Sequence, residues 1–146
     1  ILDKKIKVFF GGTFSGNSMS AFVGHKTLNY LSSNKKILHN LVRKCHYFQN
    51  NLNNFFLLNN VDAKVYRFQS ILRIVFSNKK ISSRLQRDFL EKRKINKIFK
   101  LKKYLLSKGI YYPNNGIIFF SSATSYKSIN TLLKYIKIKF IKDFKN

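Results

Sequence analysis

The sequence predicts an α+β fold, on three observations. Apolar residues recur at helical spacing early in the chain, at Ile37, Leu38, Leu41, Val42 and Cys45. Runs of β-branched and aromatic residues bounded by turn residues follow at 65–76 and 117–120. Residues 136–140 alternate Ile-Lys-Ile-Lys-Phe, the pattern of a strand with one apolar and one basic face. The 146 residues suffice for one domain or two small subdomains sharing a core. The order of elements divides them into two small α/β subdomains. Residues 1–78 hold a basic arm, a helix pair and strands. Residues 79–146 hold a basic stretch and a strand, Ser-rich loop, helix and strand unit.

Taken in order, residues 4–10 read as a basic arm or short strand and residues 11–18 as a glycine-rich loop. That loop has neither the Gly-Lys-Ser/Thr ending of a Walker motif nor a dinucleotide fingerprint, so nucleotide binding is not expected there. Ser18 or Ser20 caps a first helix running to about Leu31, and Ser32-Ser33-Asn34 breaks it. The second helix spans 35–48, with Lys36, His39, Asn40, Arg43 and Lys44 on its polar side. Residues 55–58 read as a short strand inside an Asn-rich loop, and 65–76 as a strand region. Residues 81–103 interleave cations with apolar side chains and fit helix or strand. A helical turn or two over 100–108 ends at Gly109, and 128–135 forms a short helix before the last strand.

Charge narrows the function. Lys and Arg number 29 against 5 Asp and Glu, a formal net charge of +24. Such an imbalance costs self-repulsion unless a polyanion neutralises it. Nucleic acid fits best, because cations that meet its phosphates release counterions. The expected contacts are Lys79, Lys80, Arg84, Arg87, Arg93, Lys94 and Lys97 in the basic stretch, with the arginines on the surface. A second group follows the apolar run 117–120: Ser121, Ser122, Thr124, Ser125, Tyr126 and Lys127. Hydroxyls there can bond phosphate and ribose oxygens, Tyr126 can stack on a base, and Lys127 can meet a phosphate. The competing reading of the same loop is a Ser or Thr that caps the helix after it.

Other chemistry finds little support. The five acids, Asp3, Asp62, Asp88, Glu91 and Asp143, show no paired arrangement, and no Ser/His/Asp set is visible. The chain is therefore not expected to be an enzyme, and no cofactor or small-molecule substrate is expected. Cys45 is the single cysteine, and its neighbour His46 adds too few ligands for zinc. No run approaches the roughly 18 apolar residues of a membrane-spanning helix, and no signal peptide is visible. The bias towards Lys, Asn, Ile, Phe and Tyr fits an AT-rich organellar genome. Ile1 implies an incomplete chain or a non-standard start codon.

The C-terminal third resembles the eighth protein of the small subunit in bacterial-type ribosomes. That family ends with Gly-Ile, a short apolar strand, a Ser-Thr-Ser-x-Gly loop, a few residues containing Thr, a helix and a last strand. Here residues 116–125 read Gly-Ile-Ile-Phe-Phe-Ser-Ser-Ala-Thr-Ser. Ser121 and Ser122 match the first Ser and Thr, and Ser128 falls on the later Thr. Ala123 departs at the second Ser, and Ser125 stands in place of the loop glycine. The family's Ser-Lys-Pro-Gly turn is missing from 81–103. The resemblance implies two α/β subdomains and binding to small-subunit rRNA, largely through the C-terminal half. It implies a structural constituent of the small subunit of an organellar, mitochondrial ribosome, with neighbouring ribosomal proteins as further partners. The alternatives are another organelle-encoded ribosomal protein, or a basic accessory subunit of a mitochondrial membrane complex.

Overall fold

The computed structural model describes residues 11–12 and 15–144; of Phe144 it describes only the backbone. The expected basic arm at 4–10 lies outside the described residues, and so does part of the glycine-rich loop. The fold is α+β: the described residues form five helices and one three-stranded antiparallel sheet in the order β1-β2-β3. By compactness the chain divides into Ile1–Lys36 and Ile37–Asn146. The sequence suggests a boundary between residues 78 and 79, yet strands from either side of that point pair in one sheet.

In the first unit, α1 (Ser18–Ser33) is capped not by the expected Ser18 or Ser20 but by Asn17, whose side chain accepts the Ser20 N–H at 2.9 Å. Met19, Phe22, Val23, Leu28 and Tyr30 are all exposed, and no residue of this helix is buried.

The second unit carries the core. Helix α2 (Lys35–Leu58) runs ten residues past its expected end. The short strand expected at 55–58 is therefore helical. Cys45, Phe48, Leu52 and Phe56 continue one apolar stripe at helical spacing, and all four are buried. The asparagines that suggest a loop serve the helix and its neighbour instead. Asn53 accepts the Val65 N–H at 2.7 Å and donates to the Val65 carbonyl at 3.2 Å. Asn60, at φ 51°, takes the left-handed position that usually falls to glycine, and Val61 N–H reaches the Phe56 carbonyl at 2.9 Å.

Strands β1 (Lys64–Phe68) and β2 (Ile71–Val75) form a hairpin, with Phe68 opposite Ile71. The expected single strand region is thus split by a turn at Gln69, where φ is 50°. The basic stretch resolves as helix rather than strand, in two pieces: α3 (Arg84–Lys92) and α4 (Ile95–Leu106). Ser83 caps α3 by accepting the Gln86 N–H at 3.2 Å. Gly109 ends α4 as the sequence predicts, at φ 72°, with Ile110 N–H on the Leu105 carbonyl at 2.9 Å.

Strand β3 (Ile117–Phe119) adds to the open side of β2, and α5 (Tyr126–Phe144) closes the unit. The strand expected at 136–140 is part of α5. Ile129, Leu133, Ile136 and Phe140 are buried at helical spacing, so the local alternation yields to a longer-range helical stripe. Phe140 meets Phe56 with centroids 4.8 Å apart, and Phe120 meets Phe48 edge-on at 5.4 Å. Val65, Leu72, Ile74 and Ile118 face this core from the sheet, and Leu101 and Leu105 from α4. Cys45 is fully buried there, its thiol directed at the Ser70 carbonyl at 3.7 Å. Burial pushes the Cys45 thiol up, although the charges of Arg67 and Lys44 pull the other way.

Candidate nucleic-acid interface

The buried strand residue Ile118 and the ring of Phe120 fix where the hydroxyl loop leaves the sheet. The loop is ordered by its own side chains. Ser121 N–H donates to Thr124 Oγ1 at 3.0 Å, Thr124 N–H donates to the Ser121 carbonyl at 3.1 Å, and the two hydroxyls lie 3.2 Å apart. Ser125 Oγ accepts the Ser128 N–H at 3.1 Å, so Ser125 is the N-cap of α5. The capping role weighed for this loop is therefore present. Ser122 contributes its carbonyl, which accepts from Lys44 Nζ at 2.7 Å. The Tyr126 ring stands edge-on to Tyr47 at 5.3 Å, and Tyr47 OH donates to Asn130 Oδ1 at 2.8 Å.

Two grooves flank this corner. One, of about 440 Å³, is lined by Asn40, Leu41, Arg43, Lys44, Ser122 and Tyr126. The other, of about 530 Å³, is bordered by Tyr111, Phe119, Thr124, Lys127 and Thr131. Lys127 is exposed at the first turn of α5, where the helix dipole also favours an anion. The sequence places Arg43 and Lys44 only on the polar side of a core helix. Their place beside residues 122 and 126 depends on tertiary packing.

The basic stretch divides into structural and surface cations. Lys79, Lys80, Arg93 and Lys97 are exposed. Arg84 is exposed and pairs with Asp88 at 3.5 Å. Arg87, expected on the surface, is half-buried, with Glu91 at 3.7 Å and Asp88 at 2.5 Å. Lys94 is half-buried too: it pairs with Asp62 and donates to the Phe76 carbonyl at 2.7 Å. Arg73, which the sequence does not single out, pairs with Glu91 at 3.1 Å. Each of the four acids among the described residues is thus engaged, since Asp143 pairs with Lys139 at 2.5 Å. Partial burial pushes the Asp62 carboxyl up, but the Lys94 and Asn78 hydrogen bonds and the charges of Lys94 and Lys97 outweigh it and hold it low. Hydrogen bonding from Arg87 first, and the charges of Arg87 and Arg84, hold Asp88 low against a smaller burial penalty.

Among the described residues, no three His, Cys, Asp or Glu side chains gather to hold a metal ion. None of the helices so described is long and apolar enough to cross a membrane, in line with the absence of a span in the sequence.

No protein-family model matches the sequence, and no curated protein matches it. Solved structures do match its fold. An omega-transaminase from Sphaerobacter thermophilus superposes with a TM-score of 0.67 at 13% identity, over 92% of this chain and 30% of that one. A β-phenylalanine aminotransferase from Variovorax paradoxus gives 0.62 at 17% identity, over 70% of this chain and 23% of that one. The chain therefore spans less than a third of either neighbour, and at these identities the likeness is one of fold. These matches overturn the expected role as a structural constituent of an organellar ribosomal subunit: the architecture is shared with parts of aminotransferases. The expectation that the chain is not an enzyme gains no support from neighbours that are themselves enzymes.

Proposed function

We propose that the chain binds RNA through its sugar–phosphate backbone, with Arg43, Lys44 and Lys127 around the loop at 121–127 as one contact. Lys79, Lys80, Arg84, Arg93 and Lys97 form another. One observation carries this reading. The net charge is +24, and every acid among the described residues is already in an ion pair within the chain. The large excess of positive over negative charge calls for a polyanion from outside. Arg87 and Lys94 belong to the fold and are left out of the interface.

The test is fluorescence anisotropy with a labelled RNA across a salt series. The logarithm of affinity falls linearly with the logarithm of salt. Replacing Arg43, Lys44 or Lys127 by Ala lowers the slope by about 0.7–0.9 for each phosphate no longer neutralised. Competition with inorganic polyphosphate separates RNA from any polyanion. A flat salt response, or equal binding of polyphosphate, overturns the reading.

The fold favours a second reading. Because 92% of the chain follows 30% of an omega-transaminase, it would serve as one domain of a protein that moves amino groups. Transfer of an amino group from an amine to a keto acid by the purified chain, abolished by heat unfolding, would favour this reading over the first.

A further inference from the structure

The outer face of the sheet carries an exposed apolar row. Phe68 pairs with Ile71, and Ile71 with Phe119, so one residue from each strand stands in a line across the sheet. Residues opposite one another in a ladder share a face. Their chain neighbours Leu72 and Ile118 point into the core. Phe68 is 75% exposed, Ile71 39% and Phe119 65%. With strands about 4.8 Å apart, the two phenylalanines stand roughly 10 Å from one another across Ile71. Tyr111, also exposed, borders the same groove as Phe119 and Lys127.

Cations occupy the other end of this face. Four residues along β1, about 13 Å away at 3.3 Å per residue, Lys64 Nζ lies 5.7 Å from the Tyr66 ring. Tyr66, Arg73, Arg84 and Arg87 border a hollow of about 290 Å³. The face thus joins flat aromatic surface to positive charge.

We propose that Phe68 and Phe119, with Ile71 between them, form a stacking platform for unpaired bases of single-stranded RNA. Lys64 and Arg84 on one side and Lys127 on the other would hold the phosphates. This rests on the RNA-binding reading above and adds to it a substrate class, single strands over duplex. Unpaired bases expose the π-faces that aromatic side chains accept, whereas paired bases hide them in the stack. Charge complementarity selects this occupant. A second copy of the chain would bring the same positive excess to the interface, and an apolar protein partner would leave the flanking cations unmatched.

The test compares a 12-nucleotide oligouridylate with a 12-base-pair RNA duplex, for the wild-type chain, Phe68→Ala, Phe119→Ala and the Phe68→Leu/Phe119→Leu pair. Both phenylalanines are exposed, so the variants keep the fold, checked by their thermal melts. Each Ala variant loses about tenfold or more in affinity for the single strand, within the range for one stacked base. The Leu pair, which keeps apolar area without a π-face, loses nearly as much. Duplex affinity and the salt slope stay the same. Unchanged single-strand affinity with a steep salt slope retained overturns the platform and leaves the RNA reading standing. Absence of salt-dependent RNA binding by the wild type overturns both. A wild-type dimer that the Ala variants turn into monomer, or binding to anionic phospholipid vesicles abolished in those variants with RNA binding intact, assigns the row to another occupant and overturns the proposal.

Discussion

Glu91 holds Arg73 from beneath: its carboxylate accepts the guanidinium at 3.1 Å while only 8% of its side chain is exposed. The same carboxylate accepts the Phe76 N–H at 3.2 Å, so one acid ties α3 to the end of β2. Removing one partner of a buried pair leaves an uncompensated charge, at a cost of about 3–5 kcal/mol. Because Arg73 is 23% exposed, Glu91→Ala is expected near the lower limit, about 3 kcal/mol, measured by urea unfolding. Arg87→Ala loses stability as well, while Arg93→Ala leaves the urea midpoint in place.

The loop that follows β3 yields a separation of roles. Ser125→Ala removes the cap of α5 and lowers stability by about 1 kcal/mol, with RNA affinity at fixed salt unchanged. Ser122→Ala keeps the carbonyl that holds Lys44 and leaves the melting temperature where it was. A fall in RNA affinity for Ser122→Ala alone would show that its hydroxyl touches the ligand.

Acid sensitivity should centre on Asp62. Its folded-state carboxyl titrates below the ordinary value of 3.8. Protonation therefore favours the unfolded chain: the stability is fully present above that ordinary value and is lost as pH falls through the folded one. Asp62→Asn is expected to reduce the loss of stability below the ordinary carboxylate value, read as a shallower dependence of the urea midpoint on pH.

Tyr126 packs on Tyr47 edge-on, so its ring has a structural partner besides any base. Tyr126→Phe keeps that packing and is expected to melt like the wild type. Tyr126→Ala loses about 0.5–1.5 kcal/mol beyond its buried area. A loss of RNA affinity in Tyr126→Phe would place the hydroxyl, rather than the ring, against RNA.

Helix ends and turns are legible in the sequence where their chemistry is local. Gly109, the break near Asn34 and the serine cap before α5 follow from backbone preferences over a few residues, whereas the cap of α1 falls on Asn17, one residue before the expected Ser18. Longer-range signals mislead. The alternation at 136–140 spans five residues, whereas the stripe that decides the conformation runs from Ile129 to Phe140. Asn53 looks like a loop residue because its partner, Val65, is 12 positions away. Positive charge is legible as a total, but its division between structure and surface is not. That division depends on Asp62 and Glu91, which folding brings against Lys94 and Arg73 from 32 and 18 positions away. Arg43 and Lys44 join the loop only through the packing of α2 beside α5.

Cys45 makes the chain its own unfolding probe. The thiol is sealed between α2 and the hairpin turn, and burial keeps it in the unreactive protonated form. A thiol reagent can reach it only when that part of the core opens. With one cysteine in the sequence, the rate of labelling reports a single event, the parting of Cys45 from Ser70. Its dependence on denaturant separates local opening from global unfolding without adding a dye or a second residue.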